Sequence, residues 1–234
     1  MAQKHTVKSF DEELIQLENV LVGMGGMAEV QLADALDALV KHDEEKAEKV
    51  VAADKKIDDL ERQVDNRVVQ VLALRQPMAD DLRAVITALK TASMIERIGD
   101  YAKNIAKRTA VIAQNPPPGS MQSVARMGAM VQGMIKDVLD AYVSRDVDKA
   151  NDVLKLDERV DLLYTSLFRE FLTYMMEDPR NITPCTHLLS VVKILERIGD
   201  HSTNIAENVH FLVSGEAPED RPKGKQSIYE VKPS

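Results

Sequence analysis

An eight-position motif that occurs twice, 100 residues apart, constrains this chain more than any other feature. Glu96-Arg97-Ile98-Gly99-Asp100 runs on to Asn104-Ile105-Ala106, and Glu196-Arg197-Ile198-Gly199-Asp200 runs on to Asn204-Ile205-Ala206. A repeat of that length sets the architecture as a duplication before any local reading. In each copy a Glu and an Asp stand four residues apart and an Asn follows four later. On a helix those three side chains line one stripe. The stripe is rich in acceptors, and its carboxylates have no basic residue at their own four-residue spacing.

The segments between the copies read as helix. Aromatics make up 4% of the 234 residues, Trp is absent, and Ala, Leu, Val, Met, Asp, Glu and Lys dominate, a composition that favours helix over strand. The first helix is expected from about Thr6 to Val40, with Phe10, Leu14, Leu17, Leu21, Met24, Ala28, Leu32 and Leu39 as a seam of alternating three- and four-residue steps. Gly23, Gly25 and Gly26 interrupt that seam and imply a bend or a close helix contact. Asp43 is placed to cap a second helix over about Glu44–Leu74, which Pro77 ends. The third starts at Asp80 or Asp81 and continues to Ile112. The second half repeats the plan, with helices over about Met121–Val143, Val147–Met176 and Thr183–Val213.

The expected fold is therefore all-α: two tandem, pseudo-symmetric three-helix bundles built from six long antiparallel helices. Residues 6–114 form the first repeat, the Pro-rich 115–120 a linker, 121–213 the second repeat and 214–234 a disordered polar tail.

A second acidic pair accompanies each motif. Asp54-Lys55-Lys56-Ile57-Asp58 matches Asp157-Glu158-Arg159-Val160-Asp161 at a separation of 103. The three-residue drift falls in the turn before the third and sixth helices. Each half thus holds two acid-x-x-x-acid pairs on consecutive antiparallel helices, which can bring four carboxylates towards one place. These acids interrupt apolar lines at helix seams, where mutual repulsion and desolvation favour a bound cation. The metal candidates are Asp54, Asp58, Glu96, Asp100, Asp157, Asp161, Glu196 and Asp200. Carboxylate and amide oxygens suit magnesium, calcium or manganese, and iron and zinc also accept them. Glu61 and Asp65 extend the first stripe where the second half has Tyr164 and Phe168, so the two sites need not be equal.

The competing reading leaves these acids as solvated flanks paired with Lys55, Lys56 and Arg97. Gly99 and Gly199 read best as small residues that let helices approach closely. A di-iron oxidase of the helical-bundle type needs Glu-x-x-His from each of two helices, and this chain offers Glu207 to His210 in the second half alone. A third reading is a metal-free helical scaffold.

A net charge of −8 and a pI near 5.2 argue against nucleic acid as a partner. The single cysteine, Cys185, excludes an internal disulfide and a cysteine metal cage and fits a reducing compartment. Met1 to Phe10 lacks the apolar core of a signal peptide, and no run reaches the roughly 18–20 apolar residues that cross a bilayer. The expected localisation is cytoplasmic.

The doubled E-R-I-G-D-x-x-x-N-I-A motif, the paired D-x-x-x-D segments and Arg75-Gln76-Pro77-Met78-Ala79-x-Asp81-Leu82-Arg83 resemble the PhoU family of phosphate-uptake regulators, over about Thr6 to Val213. The resemblance implies two three-helix bundles and a non-enzymatic role, with E/D-x-x-x-D motifs able to hold multinuclear iron or zinc clusters. It implies two partners, the ATPase subunit of a phosphate ABC transporter and a phosphate-sensing histidine kinase. Membrane association then comes through partners only, and a homodimer is the expected assembly. The second half has Asp178-Pro179-Arg180 where the first has Arg-Gln-Pro-Met-Ala, so any role of that segment belongs to the first half.

Overall fold

The computed structural model describes residues 2–116 and 121–216, with side chains from residue 12 onward. The described residues form helices and no strand. They are α1 (Ala2–Lys41), α2 (Glu44–Ala53), α3 (Lys55–Arg75), α4 (Ala79–Ala106), α5 (Thr109–Gln114), α6 (Gln122–Ser144), α7 (Val147–Glu177) and α8 (Ile182–Ser214). A short 3-10 turn, Pro179–Asn181, precedes α8. Residues 117–120 of the expected linker and 217–234 of the expected tail lie outside the described residues.

Two of the six expected helices are each divided once. The second is interrupted at Asp54, whose carbonyl accepts from Ile57 N at 2.9 Å and from Asp58 N at 3.4 Å, a local tightening towards 3-10 geometry. The third is interrupted at Lys107 and Arg108, where Arg108 N bonds Ile105 O at 3.0 Å.

Helix ends use the same devices in both halves. α1 and α6 close on left-handed residues, His42 (φ 56) and Arg145 (φ 55). Asp43 and Asp146 then cap the following helices by accepting from Lys46 N at 2.9 Å and Lys149 N at 3.0 Å, each cap contributing about 1 kcal/mol. The ends before α4 and α8 differ. Arg75 donates to Glu13 on α1 at 2.7 Å and ties down the turn at Pro77, whereas Asp178 accepts from Arg180 N at 2.9 Å within its own turn.

In the first half α1, α2–α3 and α4 pack around Leu21, Met24, Leu32, Ile57, Val64, Ile95 and Ile98. In the second, α6, α7 and α8 pack around Met127, Met134, Val160, Leu167, Leu188 and Ile198. Each such buried side chain contributes roughly 1.5–3 kcal/mol. Met127 and Met134 are thus core residues, and Cys185 is buried with them.

The halves join through α4 against α8 and α1 against α6. The α1–α6 contact is reciprocal. A side chain on Gly25 would collide with Leu139, and one on Gly128 would meet Leu36 Cδ1 at 2.5 Å. Gly25 matches Gly128 and Leu36 matches Leu139 at the 103-residue repeat, so each half presents the same glycine to the same leucine. Such self-complementary exchange is the geometry of a two-fold interface, here within one chain. Tyr101 and His201, equivalent at the 100-residue repeat, stack with ring centroids 5.5 Å apart on the same pseudo-axis. Of the two readings offered for the first-helix glycines, close contact holds at Gly25, while nothing lies within 4 Å of a side chain built on Gly23 or Gly26.

Candidate functional site

In each half the first acid of the second helix's pair, Asp54 or Asp157, lies against the motif glycine of the third. A Cβ on Gly99 would stand 2.9 Å from Ile57 Cδ1, 3.3 Å from Gln31 Oε1 and 3.6 Å from Asp54 Oδ1. One on Gly199 would stand 3.0 Å from Asp157 Oδ1, 3.7 Å from Val160 Cγ1 and 3.8 Å from Met134 Cε. Asp54 matches Asp157, Ile57 matches Val160, and Gln31 matches Met134 at the 103-residue repeat. At both glycines a side chain would crowd the helix that carries the acid pair.

The occupants of the two sites differ. In the first half Asp54 is buried and its Oδ1 accepts from Gln31 Nε2 at 3.3 Å. The Lys103 ammonium bridges Asp54 Oδ2 at 2.5 Å and Asp100 Oδ1 at 2.8 Å. Those two carboxylates hold the Lys103 amine well above its ordinary value. Gln31 Nε2 also donates to Val50 O at 3.3 Å, whereas its Oε1 is buried without a hydrogen-bond partner.

Glu96 makes no ion pair among the described residues. Burial pushes its carboxyl up to about 7, with Asp100, Glu61, Asp58 and Asp54 adding repulsion in that order. Glu61 is raised as well, by burial first and then by Asp65 and Asp58, with Arg62 and Arg97 opposing. The first half therefore gathers Asp54, Asp58, Glu61 and Asp100 within electrostatic reach of Glu96, and Lys103 answers part of that charge.

In the second half Glu196 is buried and accepts from Lys193 Nζ at 2.7 Å. That ammonium also lies over the Tyr164 ring, 5.1 Å from its centroid, a cation–π contact. Asp157, Asp161 and Asp200 are half-buried. The equivalents of Lys103 and Lys193 are Thr203 and Ser93. Both lysines sit three residues from a motif acid, a helical neighbour that the four-residue spacing overlooks.

Among the described residues no three His, Cys, Asp or Glu side chains are already drawn together as a formed metal-binding group. The donors of the first half nonetheless fit a hard cation. They are carboxylate oxygens plus one buried amide oxygen that lacks a donor, the class that magnesium, calcium and manganese prefer and iron tolerates. The second half offers carboxylates with the Met134 thioether in place of that amide. Of the Glu-x-x-His pair weighed for an oxidase, His210 Nε2 lies 2.9 Å from Asn151 Oδ1 on α7. His201 packs on Tyr101 with its Nδ1 3.3 Å from the Met94 sulfur.

Gln31, Lys103 and Lys193 are site residues that motif spacing does not reveal. The signal was present: superposing the halves at 103 and 100 residues exposes each as a position where the repeats disagree. No described helix is long and apolar enough to cross a membrane.

The comparisons with known proteins agree with this geometry. A family model described as "PhoU domain" matches residues 21–109 and again 124–209. A Caulobacter vibrioides (strain NA1000 / CB15N) protein named "Phosphate-specific transport system accessory protein PhoU homolog" is 50% identical over 222 residues, covering 94% of this chain and 96% of that protein. A Rhizobium meliloti (strain 1021) protein of the same name is 46% identical, with 95% of each chain covered. Among solved structures, PhoU from Pseudomonas aeruginosa superposes with a TM-score of 0.86 at 40% identity, covering 88% of this chain and all of that one. The regulatory protein PhoU from Streptococcus pneumoniae gives 0.83 at 31% identity, covering 89% and 98%. The duplicated motif, the paired bundles and these matches together place this chain in the PhoU family.

Proposed function

We propose that this chain is a non-catalytic accessory protein of a phosphate transport system, a negative regulator of phosphate uptake and of the phosphate-starvation regulon. The carrying observation is near full-length likeness to proteins named as accessories of phosphate-specific transport, half of all aligned residues being identical in the Caulobacter case. In this reading the chain couples the ATPase subunit of a phosphate ABC transporter to a phosphate-sensing histidine kinase. It works in the cytoplasm as a homodimer and meets the membrane only through those partners. Residues 6–114 and 121–213 act as its two functional halves.

The reading includes carboxylate metal sites. Asp54, Asp58, Glu96 and Asp100 would hold an ion in the first half, and Asp157, Asp161, Glu196 and Asp200 in the second, with iron, zinc, manganese or magnesium as candidates. Such an ion supplies positive charge that the acids of the first half lack, and the chain's part is to hold those oxygens at the seam between two helices. The uncompensated charge around Glu96 supports this role.

Affinity capture of the tagged full chain from phosphate-replete cells tests the coupling. Recovery of both the transporter ATPase subunit and the sensor kinase is expected, and recovery of neither contradicts the reading.

A further inference from the structure

We propose that the trough between α1 and the divided α2–α3 helix of the first half is a docking groove for one amphipathic helix of a partner protein, seated by its apolar face and held at its edge by carboxylates. The inference goes beyond the coupling role above: it requires no metal ion and holds whichever partner carries the helix.

The trough has a volume of about 830 Å³, and small residues open it from both sides. Gly23 and Gly26 line it from α1, and nothing lies within 4 Å of a side chain built on either. Ala53 lines it from the other side, exposed at the last residue of α2 before the division at Asp54. Buried Val50 and Ile57 form its floor, and Met27 and Val30, 43% and 61% exposed, its wall. That apolar wall continues beyond the trough. Ile15, Val22, Gly26, Met27 and Val30 fall within about 140° of one face of α1, at 100° per residue, and Ile15 and Val22 are exposed as well. From Ile15 to Val30 the face runs about 22 Å, or roughly four helical turns. A long, shallow apolar strip between two helices is the shape that takes a third helix.

The charges along the rim select the partner. Lys46, Lys49, Ala53 and Lys56 follow three- and four-residue steps and so share one stripe of the wall opposite α1. Lys46 is held by Asp34 and Asp37, and Asp43 is held in capping α2. Lys49 pairs with Glu45 on its own helix, both highly exposed, an exchangeable contact that contributes little. Lys56 is exposed and makes no ion pair among the described residues. The two ammonium groups a partner can reach thus stand beside apolar wall, and carboxylates at the edge of an apolar helix face complement them.

The second half carries side chains of its own at these places. Arg126 stands for Gly23, Leu156 for Ala53 and Asp152 for Lys49 at the 103-residue repeat. Leu156 packs on the core, and α7 runs undivided from Val147 to Glu177.

Fluorescence anisotropy of the full chain with a labelled model peptide of about 16 residues tests this. The peptide carries Leu on one face and Glu along its edge, and a second peptide has Lys in place of Glu. The Glu peptide should bind about tenfold more tightly than the Lys peptide and gain helix on binding. Gly26→Leu with Ala53→Leu fills the trough with a good helix former and should weaken the Glu peptide about tenfold. Ala129→Leu, at the second-half counterpart of Gly26, should leave it unchanged. Lys49→Glu with Lys56→Glu should invert the preference between the peptides. If the Glu peptide binds no more tightly than the Lys peptide, or binds the filled variant as well as the unaltered chain, the docking assignment is overturned. Binding by neither peptide overturns it too. Dodecanoate binding, or a dimer that the filled variant loses, would then make the occupant a small amphiphile or a second copy of the chain.

Discussion

In the first half a lysine ammonium lies between Asp54 on the second helix and Asp100 on the third. In the second half the ammonium comes from Lys193, one turn before the motif, and rests on Glu196 and the Tyr164 ring. The backbone plan is otherwise shared, down to the capping aspartates, the left-handed helix ends and the reciprocal Gly25–Leu139 and Gly128–Leu36 contacts. Duplication preserved the frame and let charge distribution diverge. Five acids crowd the first site, with Gln31 and Lys103 among them, while an aromatic ring and a thioether occupy the matching places in the second. Packing dictates the frame because each glycine meets a specific neighbour. The charges are freer to drift, since any arrangement that balances locally preserves the fold.

The largest expected effect comes from breaking the first-half bridge. Asp54→Ala strips a buried partner from Lys103 and Gln31 and should cost about 3–5 kcal/mol of stability by chemical denaturation. Asp157→Ala, at a half-buried rather than a buried position, should cost about 1–2 kcal/mol. Equal losses would erase the distinction between the halves.

A smaller effect concerns Glu96. Its carboxyl stays neutral up to about 7 in the folded, metal-free chain and ionises from its ordinary 4.5 when unfolded. The unfolded chain therefore holds fewer protons through that window, and stability falls as pH rises across it. Glu96→Gln should remove that decline, matching the unaltered chain below about pH 4.5 and exceeding it by up to about 2 kcal/mol above pH 7, allowing for solvent screening. Denaturation midpoints measured from pH 4 to 8 check this, and parallel pH profiles for the two proteins would contradict it.

Much of this molecule was legible in its sequence. Hydrophobic periodicity placed the six helices within a few residues of their ends, whereas the stacking of Tyr101 on His201 became visible only in the folded chain. The break at Asp54 was not legible, because the apolar stripe from Val50 through Ile57 to Val64 continues across it and the backbone there stays helical (φ −55, ψ −39). Gln31 and Lys103 escaped because they come from outside the acid motif. Gln31 lies on the first helix, where a polar residue in an apolar seam reads as surface until its partners are known. The expectation that eight acids form two like sites rested on the acids alone, and the non-acidic neighbours set the sites apart.

The account turns on unequal charge in the two halves, and site-resolved metal content tests it most directly. The full chain is loaded with Mn²⁺, freed of excess ion and analysed in two forms, one with Asp58→Asn, Glu96→Gln and Asp100→Asn, the other with Asp161→Asn, Glu196→Gln and Asp200→Asn. The account predicts that each form loses its own ion and keeps the other's, and that added monovalent salt weakens the two remaining sites to different degrees. Identical metal content in both forms and in the unaltered chain would contradict it.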